Sequence, residues 1–87
     1  MIVAVEFVGA LRMIANVKNY SVELGEGATV SSLMQRLRAE LFGEEEFFDE
    51  ANLLIIRNGR EISALKGLQT ELKHEDEVAL IPISHGG

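Results

Sequence analysis

The sequence contains no cysteine among its 87 residues. A disulfide framework and a cysteine-ligated metal site are therefore excluded, and the chain has no thiol nucleophile of its own. Its two histidines, His74 and His85, are too few for a histidine-rich site, so we expect no bound metal. Any sulfur that takes part in the chemistry of this protein must then come from a partner.

Basic residues are scarce. The sequence has eight lysines and arginines and 14 acidic residues, so its formal net charge is −6. Phosphate contacts need a basic face, so we expect no direct nucleic-acid binding and favour a basic protein partner. Apolar runs are far shorter than the ~20 residues of a membrane span. The first residues also lack the basic region of a signal peptide, so we expect a cytoplasmic protein without membrane contact.

The length suits a single domain, and 47% hydrophobic residues suffice for one core. Alternating apolar and polar residues predict strands over 2–8, 17–24, 52–57, 60–62 and 77–83. Asn58-Gly59 favours a tight hairpin, because both central positions of such a turn need a positive φ. Residues 9–16 are predicted to form a loop between the first two strands.

One amphipathic helix is predicted over 30–42, with Thr29 as its N-cap and Gly43 ending it in the left-handed conformation. A single apolar stripe is formed by Val30, Leu33, Met34, Leu37 and Leu41. One main helix then covers one face of a four- to five-stranded mixed sheet, an α+β domain over residues 1–83. With the first and last strands parallel in the middle, this would be the β-grasp arrangement.

The sequence ends in a short tail, Ser84-His85-Gly86-Gly87, directly after the last predicted strand. We expect this tail to be mobile, and at most ~13–14 Å long when extended. Glycines have no Cβ and can pass through a narrow channel. The carboxylate of Gly87 is therefore predicted to be an unhindered group that a partner enzyme could activate.

Strand alternation predicts an apolar patch on the sheet face opposite the helix. Val78, Leu80, Leu53 and Ile55 are expected to point inward. The patch would consist of the outward residues Leu54, Ile56, Ala79 and Ile81, and with Pro82 it would bind a partner.

The acidic segment Glu44–Glu50 also contains Phe47 and Phe48. We expect a solvated loop whose phenylalanines tuck under the core, and the alternative is an acidic contact for a basic partner.

Three segments of the sequence resemble the ubiquitin-like β-grasp sulfur carriers and small modifiers. They are 53–62 (LLIIRNGREI), 76–82 (DEVALIP) and the terminal Gly86-Gly87. This family includes the small subunit of molybdopterin synthase, the thiamine-pathway sulfur carrier, the ubiquitin-related modifier of tRNA thiolation and the small archaeal modifiers. Asp76-Glu77-Val78 with Pro82 is similar to the molybdopterin-synthase and archaeal patterns. His85-Gly86-Gly87 is similar to the tRNA-thiolation modifier, so the recipient pathway stays open.

The resemblance implies a carrier or modifier that is not itself an enzyme and binds no cofactor. Its Gly87 would be adenylated by a ubiquitin-activating-type enzyme that uses ATP. A sulfurtransferase would then supply sulfur for a thiocarboxylate used in tRNA thiolation or molybdopterin synthesis, or a lysine of a target protein would form an isopeptide bond. Two alternatives remain: a dedicated small subunit bound to the large subunit of molybdopterin synthase, and a β-grasp adaptor with an inert tail.

Overall fold

Five strands form one mixed sheet in a computed structural model that describes residues 1–83. The strands are β1 (Ile2–Phe7), β2 (Asn19–Glu23), β3 (Leu53–Arg57), β4 (Arg60–Glu61) and β5 (Glu77–Pro82). Their order across the sheet is β2-β1-β5-β3-β4. The central pair, β1 and β5, is parallel and the other neighbours are antiparallel. The predicted α+β class and the predicted central pairing are confirmed.

The main helix α2 (Val30–Leu37) begins at Thr29, as predicted. The Thr29 hydroxyl accepts a hydrogen bond from the Ser32 N–H, and the Ser32 hydroxyl accepts one from the Thr29 N–H at 3.1 Å. This reciprocal cap satisfies two donors that the first turn of a helix otherwise leaves free. The fully buried residues of α2 are Val30, Leu33 and Leu37. They pack on the inward side chains of the sheet and confirm the predicted apolar stripe.

The predicted α-helix over 30–42 is wrong in its last turn, because Arg38–Phe42 forms a π-helical turn. The Gly43 N–H donates to the Arg38 carbonyl at 2.7 Å, a bond that spans five residues. The wider turn puts Phe42 in the core, 5% exposed, and leaves Leu41 half-buried. Gly43 has the expected positive φ of 54°, but its ψ of −125° lies outside the left-handed helical region.

The predicted loop over 9–16 is also wrong, because it contains a short helix, α1 (Ala10–Ala15). Only Leu11 of this helix is buried, and Asn16 ends it in the left-handed conformation at φ 59°. Six residues with one buried side chain are too few for a helical period to be visible in the sequence.

The hairpin between β3 and β4 has the predicted turn, whereas the connection to β5 contains turns of 3₁₀-helix. Asn58 and Gly59 have φ values of 49° and 82°, which confirms the tight hairpin between β3 and β4. Strand β4 is two residues long, and Ile62 begins a turn of 3₁₀-helix instead of extending it. In the connection to β5, Leu72 is buried, while Leu65 and Leu68 are half-buried.

The acidic segment 44–50 is a loop whose aromatic residues pack inward, as predicted. Phe48 is buried and stacks on Phe42 with ring centroids 4.1 Å apart, and Phe42 meets Phe7 edge-on at 5.4 Å. The Arg38 guanidinium donates to the carbonyls of Gly43, Glu45 and Phe48, and so ties this loop to the π turn.

Candidate functional site

The sheet face opposite α2 carries an apolar patch on its two neighbouring strands β3 and β5. Ile81 lies opposite Leu54 and Ala79 lies opposite Ile56, so the four residues form two adjacent cross-strand pairs. All four are half-buried, whereas the alternate residues Leu53, Ile55, Val78 and Leu80 are at most 5% exposed. The predicted separation of inward and outward side chains is confirmed. These four residues are termed the open patch.

Acidic side chains border the open patch. Glu6 of β1 lies beside Ala79, and Glu77 begins β5 opposite Ala4. A shallow depression of about 400 Å³ runs across this side of the sheet between β1, β5 and the hairpin turn. An apolar centre with carboxylates at its edge is complementary to an apolar surface bordered by lysines or arginines.

Pro82 lies apart from the open patch, although both were predicted to bind the same partner. Strand alternation places it on the inward side with Val78 and Leu80, where a Cβ on Gly9 would lie 3.7 Å from its ring. The Leu80 carbonyl accepts from the Val8 N–H at 3.2 Å. Pro82 is two residues further along β5, so it lies beside the segment that follows the end of β1. At this position β1 has ended and requires no backbone N–H from β5, so a proline, which lacks that N–H, is tolerated.

Ile83 directly precedes the tail, and its N–H donates to the Asn52 carbonyl at 2.9 Å. The side chain of Ile83 is 40% exposed. The predicted reactive tail, Ser84, His85, Gly86 and Gly87, lies outside the described residues. Two of the four residues of the open patch, Ala79 and Ile81, therefore lie on the strand that precedes residues 84–87.

A buried carboxylate, Asp76, joins the three central strands at the other end of β5. One of its oxygens accepts from the Asn58 side-chain amide at 2.9 Å. The other accepts from Arg57 Nε at 2.9 Å and from the Lys73 N–H at 2.7 Å. Its backbone carbonyl also accepts from the Ala4 N–H at 2.9 Å. Asp76 thereby holds β1, the β3–β4 turn and β5 in the register that forms the open patch.

The environment of Asp76 favours its charged form. Burial by itself would raise the pKa of this carboxyl, but the hydrogen bonds from Lys73, Asn58 and Arg57 outweigh it and lower the pKa below its ordinary value. Sequence reasoning missed this role, since Asp76 meets Arg57 and Asn58 only after β3 and β5 pair. The one local signal was an acidic residue directly before an apolar strand.

Within residues 1–83 no helix is long and apolar enough to span a bilayer. Nor do the side chains described there bring three or more histidines or carboxylates together as metal ligands.

Comparison with known proteins decides the family. The profile of the ThiS family matches residues 5–87. The chain belongs to the ThiS family. This match extends over both the β-grasp domain and the tail, and it confirms the resemblance seen in the sequence. No curated protein matches the chain significantly.

Solved structures share the fold of this ThiS-family protein over nearly its whole length. The putative molybdopterin converting factor subunit 1 of Pyrococcus furiosus has a TM-score of 0.78 and 28% identity, over 97% of this chain and 99% of that one. The small archaeal modifier protein 1 of Methanosarcina acetivorans has a TM-score of 0.79 and 26% identity, over 99% and 96%. A chain of the BexX/CysO complex of Amycolatopsis orientalis has a TM-score of 0.70 and 25% identity, over 98% and 99%.

The general function follows from the family and the fold together. The protein is a ubiquitin-like carrier or modifier of the sulfur-carrier type. It is a small carrier protein and not itself a catalyst. A protein of this kind acts by binding partner proteins.

Proposed function

We propose that the chain docks on a ubiquitin-activating-type enzyme through the open patch and presents the carboxylate of Gly87 for adenylation. The observation that carries this proposal is the position of the patch. Two of its residues, Ala79 and Ile81, lie on β5, the strand that leads into residues 84–87. A partner that covers the open patch is therefore already next to the tail.

The chemistry requires an activated Gly87, because a carboxylate is a poor electrophile. A carboxylate oxygen attacks the α-phosphorus of ATP bound by the partner, and pyrophosphate leaves. The product is a mixed anhydride between Gly87 and AMP, in which AMP is a good leaving group. Gly86 and Gly87 have no Cβ, so the tail can enter a narrow active-site channel. Ser84 and His85 act as the spacer, with His85 as a contact to the partner.

The sulfur route then needs a persulfide and a separate thiol, and both must belong to a sulfurtransferase partner because this chain has no cysteine. The terminal sulfur of a persulfide attacks the acyl carbon and expels AMP. A thiol of the partner next attacks the sulfur–sulfur bond, forms a disulfide within the partner and releases the thiocarboxylate of Gly87. The modifier route uses the same activated carbon, which a lysine amine of a target protein attacks to form an isopeptide bond.

A second candidate is a dedicated small subunit of molybdopterin synthase, bound to the large subunit of that enzyme. It is favoured by the 28% identity to the putative molybdopterin converting factor subunit of Pyrococcus furiosus. Stable co-purification with one larger protein would support it over a carrier that serves several partners. For either candidate we propose a cytoplasmic location, where ATP and activating enzymes are available.

The intact mass of the protein purified from its own cells tests the proposed chemistry. We expect a mass increase equal to the exchange of one oxygen for sulfur, localised to Gly87. Remnants of this chain that end in Gly87, attached to lysines of other proteins, together with an unmodified mass of the free protein, would identify the modifier route. An unmodified mass without such remnants would contradict the proposal and leave an adaptor with an inert tail.

The Ile81→Glu variant tests docking through the open patch. We expect at least about a tenfold loss in kcat/KM for adenylation, because burying an isoleucine is worth roughly 1.5–3 kcal/mol and a buried carboxylate costs more. The fold should persist, since Ile81 is half-buried on the open face. ATP–pyrophosphate exchange with the activating enzyme measures the effect. Gln35→Glu adds the same charge at an exposed position of α2 and should be adenylated like the wild type. An equal loss in both variants would contradict docking through the open patch.

A further inference from the structure

The short helix α1 and the residues after it form an exposed surface that is both apolar and basic. Met13 is 82% exposed and Ile14 is 41% exposed, although α1 is only six residues long. The side chains of Arg12 and Lys18 are exposed beside them. A shallow depression of about 350 Å³ is lined by Arg12, Met13, Asn16, Val17 and Lys18. Residues 12–18 are termed the α1 surface.

The exposed side chains of Met13 and Ile14 are not explained by the fold, whereas Ala15 and Val17 pack partly against the core. Leu11 is the only fully buried residue of α1, and the exposed Met13 and Ile14 contribute little burial of apolar surface to this domain. Within residues 1–83, the large hydrophobic side chains most exposed to solvent are Ile2, Met13, Ile14 and Ile83. Two of these are adjacent on one short helix, and such clustering marks an interaction surface.

The charge of the α1 surface is opposite to that of the rest of the molecule. Arg12 and Lys18 are the only charged residues between Glu6 and Glu23, so all 14 acidic residues lie outside this stretch. The π turn that packs against α1 carries Glu40, but this carboxylate accepts from the Tyr20 hydroxyl at 3.0 Å and lies 3.9 Å from Arg36. The α1 surface is therefore a positive region on an acidic protein.

The α1 surface and the open patch lie on different sides of β5. Helix α1 packs on the inward side of the sheet, where Gly9 faces the ring of Pro82 and the Val8 N–H donates to the Leu80 carbonyl. The open patch lies on the outward side of the same strand. A protein bound to the open patch therefore leaves the α1 surface accessible, close to the end of the last strand.

We propose that the α1 surface docks an acidic, apolar segment of a second partner protein, at the same time as a first partner occupies the open patch. Arg12 and Lys18 select carboxylates by charge complementarity, so a basic segment is the wrong class of ligand. The unbranched side chain of Met13 adapts to the apolar residues of such a segment. The inference does not depend on the chemistry of Gly87.

NMR titration of the isotope-labelled protein tests this inference. The probe is a synthetic peptide in which aspartate or glutamate alternates with leucine or phenylalanine, and the control peptide has lysine in place of each acid. We expect the acidic peptide to shift the amide signals of residues 10–18 and to bind more weakly in about 0.5 M salt, where charges are screened within a few ångströms. The lysine peptide should leave these signals unchanged.

A pair of charge-matched variants supplies the control. Arg12→Glu combined with Lys18→Glu should raise the Kd for the acidic peptide at least about tenfold. Arg60→Glu combined with Lys66→Glu makes the same change of charge at exposed positions elsewhere and should bind as the wild type. If the first variant fails to fold, the comparison of the two peptides on the wild-type protein still decides the matter.

Three results would overturn the inference. Equal shifts with the lysine peptide would show that charge does not select the ligand. Shifts centred on Ile56 and Ala79 would assign the peptide to the open patch. Shifts of residues 12–18 that appear with protein concentration alone, or on addition of phosphatidylserine vesicles, would assign the surface to a second copy of this chain or to a membrane.

Discussion

A variant that ends at His85, without Gly86 and Gly87, is expected to fold normally and to lose activation completely. Its new carboxylate belongs to a residue with a Cβ and an imidazole ring, which a channel shaped for glycine would exclude. The carboxylate would also lie two residues short of the reacting phosphate, up to roughly 7 Å for an extended chain. ATP–pyrophosphate exchange with the activating enzyme measures the loss, and thermal unfolding reports on the fold.

The fold should survive this truncation because the hydrogen bonds described for the domain are made by residues that precede the tail. The Ile83 N–H donates to the Asn52 carbonyl, and the core is built from residues between Val3 and Leu80. We therefore expect an unfolding midpoint close to that of the wild type.

Competition separates docking from tail chemistry. The truncated protein keeps the open patch, so it should inhibit activation of the wild type with an inhibition constant near the wild-type KM. The same truncation combined with Ile81→Glu should inhibit at least about tenfold more weakly. Normal activation of the truncated protein would contradict a reactive Gly87, whereas absence of inhibition would contradict docking through the patch.

The Asp76→Asn variant is expected to lose about 2–4 kcal/mol of unfolding free energy. The substitution keeps the shape of the side chain but replaces one acceptor oxygen by a donor. That donor must then face either the amide of Asn58 or the N–H groups of Arg57 and Lys73, all of which donate. Arg57 also loses its partner while its side chain is only 23% exposed. Urea denaturation measures the loss.

A neighbouring carboxylate provides the control for Asp76. Glu75→Gln makes the same chemical change at a side chain that is 83% exposed, and an exposed pair with His74 contributes little. We expect no measurable change in its stability. Equal losses in the two variants would show that the buried network is not what Asp76 contributes.

The lowered pKa of Asp76 also predicts a pH dependence of stability. The folded state holds this carboxyl in its charged form more firmly than the unfolded state does, where the ordinary value is 3.8. The stabilisation is therefore fully present above that value and is lost as the pH falls through the lower folded pKa. Wild-type stability should decline in this window more steeply than that of Asp76→Asn. Parallel curves for the two proteins would contradict the assignment.

Much of the fold could be predicted because it rests on local patterns. Period-two alternation identified the inward residues of β3 and β5, and the helical period identified the core side of α2. Asn58-Gly59 marked the hairpin because its backbone angles suit few other residues. The open patch followed from the same alternation, since a residue whose two neighbours point inward must point outward.

The missed features share a different cause. Helix α1 has one buried residue, Leu11, so no periodic pattern reveals it. The π turn brings Phe42 into contact with Phe48, a residue pair that sequence spacing does not reveal. Pro82 was grouped with the open patch, although the register of β5 turns it inward toward Gly9.

The sequence by itself determined the fold class, the inward and outward faces of the strands and the resemblance to a carrier family, because these follow from residue patterns along the chain. The tertiary structure alone decided that Asp76 joins three strands and that the basic, apolar α1 surface lies across β5 from the open patch. Those features depend on which distant segments meet, and backbone pairing between strands decides this rather than any local preference.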